Sequence, residues 1–290
     1  MLIEGTLIKG YGGFYYVFAE GRVRECTLRG RFRVREQDFI AGDKVLILPG
    51  TGDKATIEKV LERKNSLTRP PVANVDQAVL ISSLSAPDPD YNLLDRLLIQ
   101  AAHAGADILI VFTKLDLVQG QDQVRGQYYR EKGYEVLYVS NKTGEGIAGL
   151  TAFFPNRISL LAGPSGSGKS SLINSLEPGK DLRTGTVSSK IRRGRHTTRH
   201  VELIQVAGGL VADTPGFSSL YLPEMKKEEL QNYFPEFQDY RLGCRFKSCL
   251  HDKEPDCAVK EAVNEGKILD FRYKHYLQFL AEVAAKERRY

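Results

Sequence analysis

The chain has no run of 18 consecutive apolar residues, so no part of it is built to cross a membrane as a helix. Its start, Met1-Leu2-Ile3-Glu4-Gly5, lacks the basic opening and apolar core of a secretory signal. Cytoplasmic residence is the default expectation. Cysteine is scarce, with four in 290 residues, three of them between positions 244 and 257. In a reducing compartment thiols so placed point to metal rather than to a disulfide scaffold. No large excess of one charge exists either; the net charge is +5. The positive residues are clustered, however, and clustering is what a polyanionic partner meets. Apolar content of 42% and charge of 27% are ordinary for a globular protein, and the length allows two or three domains.

The chain is organised around Gly163-Pro164-Ser165-Gly166-Ser167-Gly168-Lys169-Ser170, which fits the phosphate-binding pattern G-x-x-x-x-G-K-[ST]. Ile158 to Ala162 before it reads as a buried strand, and Lys169 to Leu176 as the start of a helix, with Ser171 in its first turn. Glycines let backbone N–H groups wrap a phosphate, and the helix N-terminus adds a favourable dipole. Lys169 would reach the β- and γ-phosphates, and Ser170 would hold Mg²⁺. The string also suits nucleotide kinases, so alone it says only that a nucleotide binds.

Residues 1–66 read as a small β-barrel carrying RNA, with strands at Leu2–Ile8, Phe14–Phe18, Val23–Leu28 and Lys44–Leu48. Arg29, Arg31, Arg33 and Arg35 alternate and would share one face of an extended segment, with Arg22, Arg24, Phe14, Tyr15 and Tyr16 nearby. A basic groove with aromatics holds RNA. The same row is also how a solvated edge strand stays soluble. Asn65 to Asn74, with Arg69-Pro70-Pro71, reads as a linker. From there to residue 222 strands and helices alternate, which predicts a parallel sheet covered on both faces. Two loops follow strand ends, where such sheets bind ligands. In Thr113-Lys114-Leu115-Asp116 a carboxylate can accept from guanine N1–H and N2–H₂, and adenine offers no such donor pair. Ser140-Asn141-Lys142 can donate backbone N–H to guanine O6.

Between Lys190 and Arg199 there is no acid, and Gly194-Arg195-His196-Thr197-Thr198 lies within this stretch. An apolar strand then leads to Asp213-Thr214-Pro215-Gly216. Asp213 at a strand end can hold Mg²⁺ through water, and the Gly216 N–H can meet the γ-phosphate. A threonine loop plus Asp-x-x-Gly is the nucleotide-sensing pair of a GTPase switch. The base-reading loops precede the phosphate loop here and the switch segments follow it, the order of a circularly permuted GTPase. Residues 223–290 hold Cys244-x4-Cys249-x-His251-x5-Cys257, a closed set suited to one structural Zn²⁺, and a C-terminal helix from Phe271.

With Asn74-Val75-Asp76-Gln77, the Gly194–Thr198 string and the cysteine cluster, nearly the whole chain resembles the RsgA (YjeQ) family of small-ribosomal-subunit-dependent GTPases. The resemblance implies an oligonucleotide-binding (OB-fold) barrel at 1–66, a permuted α/β P-loop GTPase domain at 67–222, and a small, mostly helical zinc domain at 223–290. It also implies late maturation of the 30S subunit, contact with 16S rRNA and GTP hydrolysis stimulated by the subunit; a monomer is expected. Thr113 departs from the usual Asn, whose hydrogen bonds Thr replaces only in part. Phe217 stands where a water-orienting Gln is common, so another group must align water, and His196 is the nearest in sequence. Thr197 or Thr198 would complete the Mg²⁺ shell. Two alternatives stay open: a P-loop nucleotide kinase, and a non-catalytic nucleotide-binding RNA scaffold.

Overall fold

The structure, a computed structural model, describes residues 1–29, 39–68, 70–118, 124–178, 201–213 and 221–287. Five strands close a barrel in the order β1-β2-β3-β5-β4: β1 (Ile3–Tyr11), β2 (Phe14–Ala19), β3 (Arg22–Leu28), β4 (Lys44–Pro49) and β5 (Lys54–Val60). Alternating positions Leu7, Val17, Cys26, Val45, Ile47 and Ile57 fill its interior. Each such burial stabilises by about 1.5–3 kcal/mol. Closure depends on β3 running parallel to β5.

The expected linker is instead a fixed joint. Ser66–Thr68 (β6) and Pro71–Ala73 (β7) form a two-stranded hairpin. Asp43, fully buried, accepts from Arg63 Nε at 2.6 Å and Nη2 at 3.0 Å. Asn74 Nδ2 donates to Gly42 O at 2.9 Å, while its Oδ1 accepts from Lys64 N at 2.8 Å. Gly42 has φ +94° and leaves no room, since a Cβ there would lie 2.0 Å from Ala73 O. The sequence signals a turn through its prolines but not these side-chain anchors.

The central sheet has six strands in the order β10-β9-β8-β11-β13-β12. These are β8 (Gln77–Ser83), β9 (Asp107–Thr113), β10 (Glu135–Tyr138), β11 (Ile158–Ala162), β12 (Glu202–Val206) and β13 (Gly209–Asp213). All neighbours are parallel except β12, which pairs antiparallel with β13 at one edge. From β8 the chain winds outward through β9 and β10, then returns to β11 on the other side of β8. That reversal leaves a crevice at the carboxyl ends of β8 and β11. Asp76 Oδ2 accepts from Ile158 N at 2.8 Å, and Gln77 Nε2 donates to Ser159 Oγ at 2.8 Å. The Asn74–Gln77 string thus ties both the barrel and the phosphate-loop strand to β8.

Helix α1 (Tyr91–His103) is capped by Asp90, whose Oδ1 accepts from Leu93 N at 2.9 Å. Its apolar side, Leu94, Leu97, Leu98 and Ala101, packs on the sheet. Its polar side is buried too, because the C-terminal unit covers it. There Arg272 of α6 (Asp270–Glu287), almost fully buried, donates from Nε to Glu236 Oε1 at 2.6 Å and from Nη1 to Asp95. Asp95 also accepts from Tyr129 Oη at 2.6 Å and meets His275 Nδ1 at 2.6 Å. The remaining helices are α2 (Val124–Glu131), α3 (Ile147–Thr151), α4 (Lys169–Leu176) and α5 (Ala258–Asn264). Among the described residues no helix is long and apolar enough to cross a membrane.

Candidate functional site

The loops expected to read a base and to hold phosphates meet at that crevice. The phosphate loop turns sharply after β11, where Gly163 has φ +150° and a Cβ would lie 2.0 Å from Ile81 O. No other residue fits beneath β8 there. Gly168, at φ +94°, opens α4, and Leu172 N bonds back to Gly168 O at 2.8 Å. Ser165 and Gly166 are exposed at the loop's crest, while Ser170 and Ser171 are half-buried in the first turn of α4. Lys169 Nζ folds over the loop and donates to Gly163 O at 2.8 Å and Pro164 O at 2.7 Å. Burial lowers the Lys169 pKa from its ordinary value, because low polarity disfavours the ammonium.

The first base loop leaves β9 through buried Thr113, whose Oγ1 donates to Ser167 O at 2.6 Å. Lys114 sits in the left-handed region at φ +61°, and a 3₁₀ turn follows over Leu115–Leu117. Lys114 Nζ donates to Ala86 O. The second base loop follows β10. Ser140 Oγ donates to Asp116 Oδ1 at 2.6 Å and accepts from Thr143 N at 3.1 Å. The exposed Asp116 carboxylate is therefore oriented by the neighbouring loop, with Oδ2 free of that bond. Asn141 Nδ2 lies 3.4 Å from where a Cβ of Gly168 would be. Lys142 is exposed.

One element of this region escaped the sequence reading. The loop from β8 to α1 lies over the phosphate loop: a Cβ on Gly166 would meet Pro87 Cδ at 3.5 Å, and Ser83 Oγ donates to Pro87 O at 2.6 Å. Its signal was available, since it too follows the carboxyl end of a strand. Two buried hydroxyls beside the phosphate loop, Ser82 Oγ and Ser167 Oγ, have no partner among the described residues. A polar ligand is what such atoms suit. The backbone of Asp213 ends β13, next to the phosphate-loop strand. His196, Thr197, Thr198 and Gly216 lie outside the described residues, as do Arg31, Arg33 and Arg35.

On the barrel, the described arginines of and near the expected basic stripe are Arg22, Arg24 and Arg29. Arg24 points into the barrel, 2% exposed, with Nη2 on Glu20 at 3.0 Å. Arg29 pairs with Glu58, and Arg22 with Asp53 at 3.6 Å. Strand alternation puts Arg24 on the same side as Cys26, which the count of arginines alone hides.

Cys244, Cys249, His251 and Cys257 come together, with one ligand atom from each lying within 4.8 Å of the others. Cys244 Sγ is 3.8 Å from Cys257 Sγ, and His251 Nδ1 is 3.3 Å from Cys257 Sγ and 3.6 Å from Cys244 Sγ. A tetrahedron with about 2.3 Å metal–sulfur and 2.0 Å metal–nitrogen arms has edges of about 3.5–3.8 Å. The geometry fits a metal ion. His251 Nε2 faces Gln231 Oε1 at 3.1 Å, which fixes the tautomer that turns Nδ1 inward. Tyr273 Oη donates to His251 O at 2.7 Å and Tyr276 Oη to Leu250 O at 2.8 Å, so α6 holds the knuckle. Burial pushes the Cys249 thiol up to about 12 and the His251 imidazole down to about 4. A neutral imidazole is ready to ligate, and a thiol held up by burial, as at Cys249, gives its proton up to a cation. Gln231 has no signal in the sequence that marks it as a partner of His251.

Comparison with known proteins agrees with this layout over the whole chain. A family model described as RsgA GTPase matches residues 60–223, and one described as RsgA N-terminal domain matches residues 4–57. A Moorella thermoacetica protein named small ribosomal subunit biogenesis GTPase RsgA is 52% identical over 287 residues, covering 99% of both chains. The Geobacillus thermodenitrificans protein of the same name is 47% identical over 294 residues, covering both chains completely. Among solved structures, YloQ, described as a circularly permuted GTPase, aligns with TM-score 0.82 and 39% identity over 99% of this chain and 96% of its own. YjeQ from Thermotoga maritima aligns with TM-score 0.83 and 36% identity, over 98% and 99%.

Proposed function

The chain belongs to the RsgA GTPase family, and from that premise we propose that it hydrolyses GTP to GDP and phosphate while bound to the 30S ribosomal subunit, late in that subunit's maturation. One observation carries the base choice. The Asp116 carboxylate is held by the Ser140 hydroxyl at 2.6 Å, on a loop that Thr113 ties to the phosphate loop. A carboxylate so oriented can accept from N1–H and N2–H₂ of guanine, and the backbone of 140–142 supplies O6. Gly163–Ser171 wrap the phosphates, Lys169 leaves its loop carbonyls for the β- and γ-oxygens, and Ser170, Thr198 and Asp213 would hold a Mg²⁺ ion that neutralises phosphate charge. Gly216 meets the γ-phosphate. His196, beside Thr197, aligns the attacking water. Catalysis of this kind is positioning and charge neutralisation, so the subunit can accelerate it by ordering loops.

The Cys₃His knuckle holds one structural Zn²⁺: four ligands close the shell and leave no position for substrate. Arg29, Arg31, Arg33 and Arg35 contact 16S rRNA. The protein acts as a cytoplasmic monomer. Phosphate release from GTP and from ATP, with and without purified 30S subunits, tests the reading. Release from GTP that rises at least about tenfold with subunits, and not from ATP, is the expected result. Equal rates with both nucleotides, or no response to subunits, would overturn it.

A further inference from the structure

The loop between β8 and α1, residues 84–90, is fixed at both ends. Ser83 pairs with Thr113 in the last rung of the sheet, and Leu84 N donates to Thr113 O at 3.0 Å. At the far end Asp90 caps α1. The stretch between them runs over the phosphate loop, with Pro87 Cδ 3.5 Å from a Cβ placed on Gly166. Ala86 within it has φ +46°, a left-handed backbone that an alanine keeps only where its surroundings hold it. Two side chains supply that hold. Ser83 Oγ, on a residue 1% exposed, donates to Pro87 O at 2.6 Å, and Lys114 Nζ donates to the adjoining Ala86 O. Lys114 itself starts from the base loop, so its stem spans from that loop to the one lying over the phosphates. A lysine stem is long and freely rotating, and anchoring its end removes that freedom before a nucleotide arrives.

Resting on the guanine reading above, in which the Lys114 stem lines the base, we propose that Ser83 is a positioning residue that slows the release of guanine nucleotide. Its hydroxyl fixes the 84–90 loop, and the loop fixes Lys114 against the base. No described atom of Ser83 is needed at the phosphates for this. The base is common to GTP and GDP, so both are retained alike. The chemical step lies at the γ-phosphate and is left untouched, which separates binding from turnover.

The test follows release of prebound labelled GDP, and of a slowly hydrolysed GTP analogue, from the full chain into excess unlabelled nucleotide. One neutral hydrogen bond corresponds to about a 2- to 13-fold change. Ser83→Ala should release both nucleotides faster by a factor in that range. It should raise KM for GTP similarly and leave kcat on saturating 30S subunits unchanged. Lys114→Met, which keeps an aliphatic stem and loses the ammonium, should also speed release. Ser83→Ala on the Lys114→Met background should then add nothing, because the hydroxyl acts through that lysine. Release from Ser83→Ala as slow as from wild type overturns the proposal, whatever thermal unfolding shows; a hydroxyl that only held the fold would lower stability alone. Additive effects in the double variant overturn it as well, as does a loss confined to kcat. Failure of the underlying base reading shows separately, as wild type that binds ATP as tightly as GTP.

Discussion

The nucleotide crevice and the cysteine knuckle bring functional groups together in opposite ways. The crevice draws on positions from Ile81 to Ser171, far apart in the chain, and the strands deliver them to one edge. Its loops are tied to one another by short polar bonds such as Thr113 to Ser167 and Ser140 to Asp116. The knuckle draws all four ligands from Cys244 to Cys257, and its thiols sit in an apolar cluster with Phe237 and Tyr276. The crevice is shaped by the sheet whether or not a nucleotide is present. The knuckle crowds three thiols and an imidazole that only a cation reconciles. On the proposed reading one site is a scaffold to which a ligand is added, and at the other a metal would be part of the fold.

Removing metal is the strongest way to sharpen that contrast. Structural zinc contributes about 10–16 kcal/mol in small zinc domains at neutral pH, so chelation should unfold residues 221–287. GTP affinity, set by the loops of the central sheet, should change by less than about threefold. Hydrogen exchange of α5 and α6 alongside nucleotide titration would show both, and a collapse of GTP binding would break the comparison. The next effect in size lies where the two regions join. Arg272→Ala would leave Asp95 and Glu236, both buried, without their cation. Breaking one partner of a buried ion cluster costs about 3–5 kcal/mol. Thermal unfolding should show a loss of that order. A loss under about 1 kcal/mol would mean that the carboxylates find protons or water instead.

How far this was legible in the sequence follows from how local each signal is. The phosphate loop, Thr113–Asp116 and the cysteine spacing are contiguous strings, and the structure brings each string to a pocket or cluster as a unit. The barrel was legible from its first four strands, but its closing strand was not. In Lys54–Val60 the charged outward positions Lys54, Glu58 and Lys59 obscure the buried Ala55 and Ile57, and the parallel partner Arg22–Leu28 lies beyond a long connection. Asn65 to Asn74 read as a linker because its prolines are visible and the Asp43–Arg63 pair is not. Arg96, Gln100 and Asp95 are the polar residues of α1, yet a unit more than 120 residues downstream covers them. Side-chain accounting across domains is the part that sequence periodicity cannot carry.

The third test bears on the crevice alone. Asp116→Asn exchanges an acceptor for a donor at the base edge. GTP affinity should fall at least about tenfold, since a hydrogen bond to a charged group contributes about 1.5–3 kcal/mol. Xanthosine triphosphate, whose C2 carbonyl suits an amide donor, should gain by a similar factor. Zinc content and thermal unfolding of the C-terminal unit should stay as in wild type, which is the comparison run in reverse. Fluorescent nucleotide titration checks this, and unchanged GTP affinity would remove Asp116 from the site.

The smallest effect concerns Glu282, which clamps α6 to α1 from the rim of their interface. Its Oε2 accepts from Arg96 Nη1 at 2.7 Å, and the Arg96 guanidinium lies 4.5 Å from the Phe279 ring centroid. The hydrogen bonds from Arg96 hold the Glu282 carboxyl below its ordinary pKa, against the opposing pull of burial. A carboxyl lowered on folding stabilises above its unfolded value, near 4.3, and the stabilisation is lost as pH falls through the folded value. Glu282 is 36% exposed at its side chain, so solvent screens the pair and the contribution should stay under about 1 kcal/mol. Glu282→Gln should therefore unfold at slightly lower denaturant than wild type at pH 7, and at the same denaturant concentration once both are well below the folded pKa. High salt should narrow the gap at pH 7. A gap that persists in acid would place the contribution of Glu282 in packing on α1 rather than in charge.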